Sequence, residues 1–520
     1  MKATCFRLLI PGTFAVLALA LTPAISSAQT GEDALRFAER SPATGARMMG
    51  MGGVGIAGVG DYSAFFTNPA GLGYIGSSLF AGALTSLSAT DESRYQTTGF
   101  TTFGEGDLRS TSLGNLAYLY KVPTAQGALV LGAAYNQINT FDRNLRFGGP
   151  NATNSISDSF LPYPDEFEVV TSNGNPQPEF SNDIPALAYV GGAIEFLSEN
   201  VGTDEPLFYQ AVAPGTTIEQ FGDVLEEGRM NELSVGGAWE AAQNVMVGAS
   251  ANFSFGTYQF NSRFEEDDAN NENGVNDYIV ILDSGELRGF DFLRYDQGFE
   301  SDLTGINIRA GVSGELAEGI RLGLTAETPT FYNVSETYSR AIETFFDEGG
   351  SLDDAQNGEF EYEIYTPWRL GGGVAWRNND IFVSGDLEYV DWSQLELDSD
   401  HTSFDEANRT IRENLDPVWN ARLGAEYQFG SLAVRGGLAW QPDPRSFEIE
   451  HDGEETDRSK TFFSAGIGYQ FAERFLVDVA WMQERFNDLY APYGDVVTTP
   501  PVAEEELVRN RFSLGVRVLF

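Results

Sequence analysis

The chain has 520 residues, and its 76 acidic and 31 basic residues give a formal net charge of -45 and a pI near 4.2. A protein that reads nucleic acid would carry a basic patch, so this charge excludes that class. Only three lysines occur, against 28 arginines. We interpret the acidic excess as the surface of a protein from a salt-adapted host, in preference to a set of loops that gathers divalent cations.

The N-terminus has the pattern of an export signal. Lys2 and Arg7 precede an apolar stretch over residues 8–21, and a run of small residues ends at Ala28. The stretch is shorter than the ~20 residues of a membrane-spanning helix, so we predict a signal peptide over residues 1–28 and no retained anchor. Cys5 is the single cysteine and lies ahead of the apolar stretch, which leaves the exported chain without disulfides.

Residues 29–76 lack the alternation of a strand. They are rich in glycine, which permits positive φ angles and close backbone packing. They are also more apolar than a disordered tail, since Met48, Met51 and Phe65 are among them. We therefore predict a compact segment that fills a confined volume.

From residue 77 onwards the sequence shows amphipathic strands with a side-chain period of two. In the last strand apolar residues occupy one face, and Arg511, Ser513 and Arg517 lie on the other, as expected for a strand between lipid and a lumen. The fourteen predicted strands are Ser77–Ser88, Leu113–Val122, Gly127–Asn139, Asn231–Ala241, Val245–Phe260, Asp302–Leu316, Ile320–Val334, Pro367–Arg377, Ile381–Leu397, Pro417–Phe429, Leu432–Gln441, Thr461–Phe471, Phe475–Arg485 and Val508–Phe520.

The links between these strands alternate in length. Tight links such as residues 317–319, 378–380 and 430–431 are separated by long polar links such as residues 89–112 and 335–366. A soluble β-sandwich would not explain this alternation. The fold class that we predict is all-β: a fourteen-stranded antiparallel transmembrane β-barrel with both termini in the periplasm.

Two of the long links carry further patterns. Ile184–Leu197 and Thr217–Glu227 have apolar residues spaced by three and four, so we predict two short helices in the longest link. The next long link contains the acidic run Glu265–Asp268, followed by Asp277. The spacing does not fit a calcium-binding loop, so we favour a solvated acidic loop over a cation site.

The segment before the first strand contains motifs that resemble those of a known family. The residues are Arg47, Gly50, Gly52, Gly53, Asp61 and the triplet Asn68, Pro69 and Ala70. This pattern resembles the N-terminal hatch of the FadL/TodX outer-membrane transporters of long-chain fatty acids and aromatic hydrocarbons, in which the NPA triplet is a hallmark. The resemblance implies a hatch over residues 29–76 inside a barrel over residues 77–520, with long, partly helical extracellular loops. A related hatch motif occurs in PorV-like barrels of type IX secretion.

The chemistry of the hatch residues points the same way. A fourteen-stranded barrel is too wide for its wall side chains to fill the lumen, so an unplugged barrel would leak. Asn68 can bond backbone groups in a turn and Pro69 fixes its φ angle, so we predict a rigid corner there. Arg47 and Asp61 are either polar anchors of the hatch or two solvated loop charges.

Strand alternation also predicts which charged residues face the lumen. Most inward arginines should pair with inward carboxylates, and one or two of them could hold a ligand carboxylate, as the resemblance implies for a basic lumen residue. The resemblance implies a lateral gap beside a kinked strand, and since glycine weakens a strand, we predict the kink and the gate at Gly132 on the third strand. The inward arginines that are candidates for the ligand carboxylate are Arg309, Arg321, Arg369, Arg422 and Arg435.

The sequence gives no support for an enzyme. Its two histidines, His401 and His451, lie in separate long links with no neighbouring ligand or nucleophile, so we expect neither a metal site nor a cofactor. The resemblance implies passive transport of a hydrophobic small molecule by a monomer, with sideways release into outer-membrane lipid. A PorV-like component of type IX protein secretion and a general porin are the alternatives.

Overall fold

The computed structural model describes residues 31–520 except 173, 204, 214, 274–279, 282–286, 348, 401–402, 447–449, 452–453 and 495–499. The predicted signal peptide, Asp277 and His401 therefore lie outside the described residues. Within the described part of the chain, no helix combines the length and the apolar character needed to cross a membrane.

Short helices occur mainly in the N-terminal segment and in the long links. The α-helices are α1 Gly31–Ala38, α2 Ala46–Met49, α3 Ile156–Ser159, α4 Asp183–Val190 and α5 Asp405–Asn414, and 3-10 turns span Tyr62–Phe65, Pro69–Tyr74, Ser198–Asn200 and Trp392–Gln394.

Strands make up most of the chain from residue 79 onwards. They are β1 Leu79–Thr97, β2 Phe100–Val122, β3 Leu129–Thr140, β4 Arg143–Asn151, β5 Phe167–Ser172, β6 Asn175–Phe180, β7 Ile194–Phe196, β8 Phe208–Gln210, β9 Ile218–Ala242, β10 Val245–Asp267, β11 Val280–Ile281, β12 Leu287–Arg288, β13 Phe290–Ala317, β14 Ile320–Glu327, β15 Phe331–Phe346, β16 Ser351–Tyr365, β17 Arg369–Arg377, β18 Ile381–Asp391, β19 Glu396–Asp398, β20 Pro417–Phe429, β21 Leu432–Gln441, β22 Glu450–His451, β23 Glu454–Glu455, β24 Lys460–Phe471, β25 Phe475–Tyr490 and β26 Val502–Leu519.

These strands close into one antiparallel barrel, because β26 pairs with β1 from Leu79↔Leu519 onwards. Three of the fourteen positions around the barrel are each built from two segments in line: β14 with β15, β16 with β17, and β3 with β4. β4 continues β3 along β9, and β19 adds a short pairing to β16. The predicted fold class and strand number are confirmed.

The outer wall is apolar, as a surface in contact with lipid requires. Outward leucine, valine and phenylalanine side chains are exposed along the strands. Aromatic residues mark both edges of this apolar belt: Trp419 and Trp440 near the end of the barrel that carries the long links, and Trp376 and Phe471 near the end that carries the tight turns. We call these two ends the loop end and the turn end. Such aromatic girdles are typical of transmembrane barrels.

Several strands run well beyond the predicted span. Residues 89–112 and 335–366, which we predicted as polar links, are mostly strand and form tall hairpins at the loop end. The first predicted helix, Ile184–Leu197, is helical only as far as Val190 in α4 and then contains β7. The prediction for Thr217–Glu227 is wrong, since β9 begins at Ile218. In β9 alternate residues from Ile218 to Val224 face inward, and pairing with β4 and β10 overrides the local spacing.

The first described residue lies at the opposite end of the barrel from the C-terminus. Gly31 packs against Ile411 of α5, and Glu32 bonds Arg445 in the link after β21, both at the loop end. Phe520 bonds Ser78 at the turn end. From Gly31 at the loop end the segment runs through the lumen towards the turn end, and the periplasmic location of both termini stays a prediction.

Candidate functional site: a hatch and a seam in the wall

Residues Gly31–Gly76, which we call the hatch, contact strands around the whole lumen. Gly52 N donates to Ser464 Oγ on β24 at 2.9 Å, and Ile56 N donates to Asp386 Oδ2 on β18 at 2.9 Å. At the turn end Lys121 Nζ of β2 donates to Ile75 O at 2.9 Å. The hatch is thus bonded to opposite sides of the barrel.

The NPA corner is held by side-chain and backbone bonds together. Asn68 Oδ1 accepts from Ala70 N at 3.0 Å, while its Nδ2 donates to Ile56 O at 2.7 Å and to Val312 O at 3.2 Å. The wall strands carry glycine where this corner approaches. A Cβ added at Gly311 would lie 2.1 Å from Asn68 Oδ1, and one at Gly248 would lie 2.4 Å from Ala70 N.

Other glycine motif residues sit where the hatch backbone touches the wall backbone. A Cβ on Gly437 of β21 would lie 2.2 Å from Gly52 N, and one on Gly50 would lie 3.0 Å from Gly466 Cα. Gly52 and Gly53 also have positive φ angles of 66° and 86°, which favour glycine. The glycines in the wall and in the hatch therefore allow one backbone to pack on another.

Arg47 connects the hatch to the wall through two carboxylates. Its Nη1 donates to Asp61 Oδ2 at 3.1 Å, and its Nη2 donates to Glu426 Oε1 of β20 at 3.0 Å. All three side chains are buried. Burial alone would raise the pKa of Asp61, but Arg47 and hydrogen bonds from Ser63 lower it below its usual value.

The five candidate arginines face the lumen, and each contacts protein groups there. Arg309 bonds Glu327 at 2.7 Å, Arg369 bonds Ala38 O at 2.8 Å, and Arg422 lies 3.2 Å from Glu388. Arg435 bridges Glu426 and Asp478 at 2.6 Å each, and Arg321 bonds Gly58 O at 3.2 Å. These contacts match the structural pairing that the sequence analysis favoured, and a ligand carboxylate at any of them stays a prediction.

Helix α1 fills the barrel mouth at the loop end. Its Leu35 and Phe37 are buried, and Phe37 packs edge-on against Tyr258 and Phe141. The surrounding apolar cluster also contains Trp392 and Ile411. Two ion pairs hold the segment at this level, Glu32 with Arg445 and Glu39 with Lys460.

The wall itself is interrupted between β2 and β3. Their ladder runs from Val122↔Leu129 to Asn115↔Asn136 and stops there, although β2 continues to pair with β1 up to Phe100. Beyond the break β3 has a register shift between Gln137 and Asn139, and β4 then pairs with β9 alone. We call this line of separation, above Asn115 and Asn136, the seam. It begins inside the apolar belt, because Leu113 and Leu116 beside it are exposed.

Hydrogen bonds that involve side chains, and not a strand ladder, join the two sides of the seam. Ser112 Oγ donates to Gln137 Oε1 at 2.6 Å, and Ser110 Oγ donates to Asp142 Oδ2 at 2.5 Å. Higher up, β4 lies against the inner face of β2, where a Cβ on Gly106 would come within 1.8 Å of Asn144 O. Each such bond contributes only about 0.5–1.5 kcal/mol net, so this joint is weaker than a continuous ladder.

The seam corrects one sequence prediction. Gly132 pairs regularly with Leu119 on one side and Gly236 on the other, so the kink is not there. The irregularity lies at residues 137–142. The sequence analysis placed Ser110, Ser112 and Asp142 in polar links, and a polar run gives no signal that separates a loop from a seam.

The described residues contain no group of three or more side chains suited to hold a metal ion. Of the two histidines, His451 belongs to the short β22–β23 hairpin.

Residues 224–488 match the model of the outer membrane protein transport protein family (OMPP1/FadL/TodX), which is more than half of the chain. The chain belongs to this family. It is therefore an outer-membrane transport protein, and the predicted resemblance is confirmed. A search of curated proteins gave no match.

Solved structures of this family share the fold. The toluene transporter TodX of P. putida aligns with 12% identity over 92% of this chain and 99% of its own, with a TM-score of 0.51. A deltaS2 mutant of the TodX monoaromatic hydrocarbon channel gives 12% identity, 92% and 98% coverage and a TM-score of 0.51. A FadL homologue of Pseudomonas aeruginosa gives 12% identity, 92% and 99% coverage and a TM-score of 0.49.

Proposed function

We propose that this protein is a passive channel for hydrophobic compounds, such as long-chain fatty acids or aromatic hydrocarbons, which leave the lumen sideways through the seam into the membrane. The observation that carries the proposal is the end of the β2–β3 ladder at Asn115↔Asn136, within the apolar belt. A lateral exit suits such a ligand, because an acyl chain gains ~0.8 kcal/mol for each CH₂ that stays out of water.

The route begins at the loop end. The apolar cluster around α1 is the surface that first receives the ligand, which competes with Leu35 and Phe37 for the same side chains. The hatch blocks straight passage to the turn end through its bonds to β18, β24 and β2. A hydrophobic ligand is supported by the family relatives, since TodX is described as a toluene transporter.

A disulfide across the seam tests this route. We expect that the double variant Ser112→Cys/Gln137→Cys, when oxidised, loses most of its uptake of labelled toluene or dodecanoate and regains it on reduction. Cys5 is the only natural cysteine, and each double variant also carries Cys5→Ser so that no other thiol interferes. The readout is uptake by cells whose barrel is shown to be folded by heat-modifiable gel mobility.

The matched control is Asn252→Cys/Asn307→Cys. These residues also bond each other across two strands, at 2.7 Å, but their backbones are already joined by a ladder. The oxidised control should keep its uptake. Unimpaired uptake in the oxidised seam variant would exclude the lateral exit, and conduction of small polar solutes by the wild type would favour a general porin.

A further inference from the structure

A broad apolar recess lies on the outer wall of the barrel, facing lipid. Its volume is about 1100 Å³, and it extends over β14, β17, β18, β20, β21 and β24. Pockets for drug-sized ligands enclose ~300–1,000 Å³, so this one has room for a larger molecule such as a lipid. Its rim is formed by outward side chains that are exposed along the wall: Leu370, Leu387, Trp419, Leu423, Trp440 and Phe463.

The outer recess is separate from the transport route, because it lies across the barrel from the seam. In one direction β3, β9, β10 and β13 stand between the two features. In the other direction β2, β1, β26 and β25 stand between them. A molecule bound in the outer recess therefore does not occupy the exit.

The floor of the outer recess consists of outward positions without a large side chain, which include Gly372 on β17, Gly385 on β18 and Ala421 on β20. The nearest neighbour of an added Cβ would be 3.6 Å away at Gly372 and 3.8 Å away at Gly385. By contrast, a Cβ on Gly437 would lie 2.2 Å from Gly52 N, so packing on the hatch requires glycine there. Packing within the described chain does not require it at Gly372 or Gly385. Glycine weakens a strand and often marks a place where a ligand approaches closely, so these two positions indicate a molecule on the outer wall.

A lipid fits this shape better than a second copy of the barrel. In a symmetric dimer the same patch lies on both subunits, so two recesses that face each other would leave a larger gap between them. A flexible acyl chain can instead contact both the floor and the rim. Each carbon contact contributes only ~0.1–0.2 kcal/mol, but a chain makes many of them. Since bulk lipid is as apolar as the wall, a preference for one lipid must come from this fit and from the head group.

An outward arginine borders the outer recess at the loop end. Thr461 lines the recess, and Arg485 of β25 is its ladder partner. Opposed residues have Cβ atoms about 4.5–5.5 Å apart, so the guanidinium is within reach of a head group above the recess. Arg485 Nε donates to Gln483 Oε1 at 2.8 Å, and no carboxylate of the described residues pairs with this arginine. In a chain with a net charge of -45, such an arginine suits an anion, and its planar fork matches a phosphate.

The opposite edge of the outer recess carries a negative charge. Asp391 of β18 accepts from Ser393 Oγ at 2.6 Å and from Gln394 Nε2 at 3.0 Å. This carboxylate repels a phosphate, which places the head group on the side of β24 and β25.

We propose that the outer recess binds a phosphorylated lipid of the outer leaflet, with its acyl chains on the floor at Gly372, Gly385 and Ala421 and a phosphate on Arg485. Long links face the outside in barrels of this kind, so Arg485 lies at the level of the outer-leaflet head groups. The phosphate accepts charge-assisted hydrogen bonds from the guanidinium.

Three variants separate the two parts of the site. Arg485→Gln removes the charge and keeps a polar side chain. Gly372→Leu/Gly385→Leu fills the floor at the two glycines, where an added Cβ meets only ordinary contacts. Ala421→Leu fills the floor without changing a glycine, which keeps the test possible if the double variant fails to fold.

Each kind of change has a matched control on another wall. Arg229→Gln removes another exposed arginine, on β9. Gly82→Leu adds a side chain at another outward glycine, on β1, where a Cβ would lie 3.4 Å from Leu116 Cδ1.

The experiment measures lipid binding by native mass spectrometry of the purified barrel, with folding checked by heat-modifiable gel mobility. The probes are bis-phosphorylated lipid A, as the outer-leaflet lipid, and phosphatidylglycerol. We expect the wild type to retain one lipid A. Arg485→Gln should lower its affinity for lipid A about tenfold, the factor for 1.4 kcal/mol, and the floor variants should lower it by a similar factor. Both controls should stay within twofold of the wild type.

Unchanged affinity in Arg485→Gln or in the folded floor variants would overturn the proposal, and so would an equal loss in the controls. Phosphatidylglycerol that binds as tightly as lipid A would overturn the assignment to the outer leaflet. A dimer that the floor variants dissociate would assign the outer recess to a second copy of the chain instead. The measurement involves no transport, so its result is independent of the proposed function.

Discussion

Single residues decide how closely the hatch approaches the wall. Asn68 is tied to its own turn, to the preceding hatch turn and to β13, which makes the NPA corner a junction of three pieces of backbone. The sequence predicted a rigid corner from Asn68 and Pro69. It did not predict the wall side of the contact, because Gly248 and Gly311 look like ordinary weak points of a strand until their neighbours across the lumen are known.

We predict that Gly311→Ala loosens the hatch. The new Cβ would lie 2.1 Å from Asn68 Oδ1, so the corner must shift and lose its bonds to the wall, at a cost of roughly 1–3 kcal/mol. Single-channel conductance in planar bilayers should rise, and hatch amides should exchange faster. Gly314→Ala on the same strand is the control, because its nearest neighbour would be 3.5 Å away. Equal conductance in both variants would contradict the steric account.

At the scale of elements, α1 and the seam are two parts of the structure that no strand ladder holds in place. α1 is eight residues long, too short to be stable alone, so its position depends on Phe37, Leu35 and the ion pairs of Glu32 and Glu39. Neither position could be predicted from sequence. The apolar face of α1 indicates that the helix is covered, but it does not indicate which residues cover it. The polar residues of the seam resemble those of the long links.

We predict that α1 must leave the barrel mouth before a ligand enters. The variant Gly31→Cys/Ile411→Cys joins α1 to α5 by a disulfide, since a Cβ on Gly31 would lie 2.8 Å from Ile411 Cγ1, and its oxidation should abolish the uptake of labelled toluene, reversibly with reductant. The variant Gly73→Cys/Met246→Cys locks the turn end of the hatch, where a Cβ on Gly73 would lie 3.4 Å from Met246 Cβ, and should leave uptake unchanged. If uptake persists when the disulfide at the loop end is oxidised, ligands enter past a stationary α1.

At the scale of the whole molecule, most of the fold could be predicted from the pattern of strands in the sequence. Alternation in segments such as Val508–Phe520 and the regular change between tight and long links predicted fourteen strands, since both follow from a wall with lipid on one side and a lumen on the other. The direction of the hatch could not be read in this way. It depends on contacts of Gly31 and Glu32 with the loop end, more than 370 residues away in sequence for both Ile411 and Arg445.

We predict that the loop end, together with the start of the hatch, faces the outside of the cell. Long links face outward in barrels of this kind and tight turns face the periplasm, so a single-cysteine variant at Asn357, in the exposed β15–β16 hairpin, should react with a membrane-impermeant maleimide on intact cells. Asn379→Cys, in the tight turn before β18, should react only after the outer membrane is permeabilised.

Labelling of the variant Glu32→Cys tests from which side of the membrane the hatch begins. This side chain is 45% exposed at the loop end, so it should react on intact cells as Asn357→Cys does. Reaction only after permeabilisation, with Asn357→Cys still reactive from outside, would mean that the hatch enters from the periplasm. The ion pair of Glu32 with Arg445 could not then form, and α1 could not be the element that a ligand displaces.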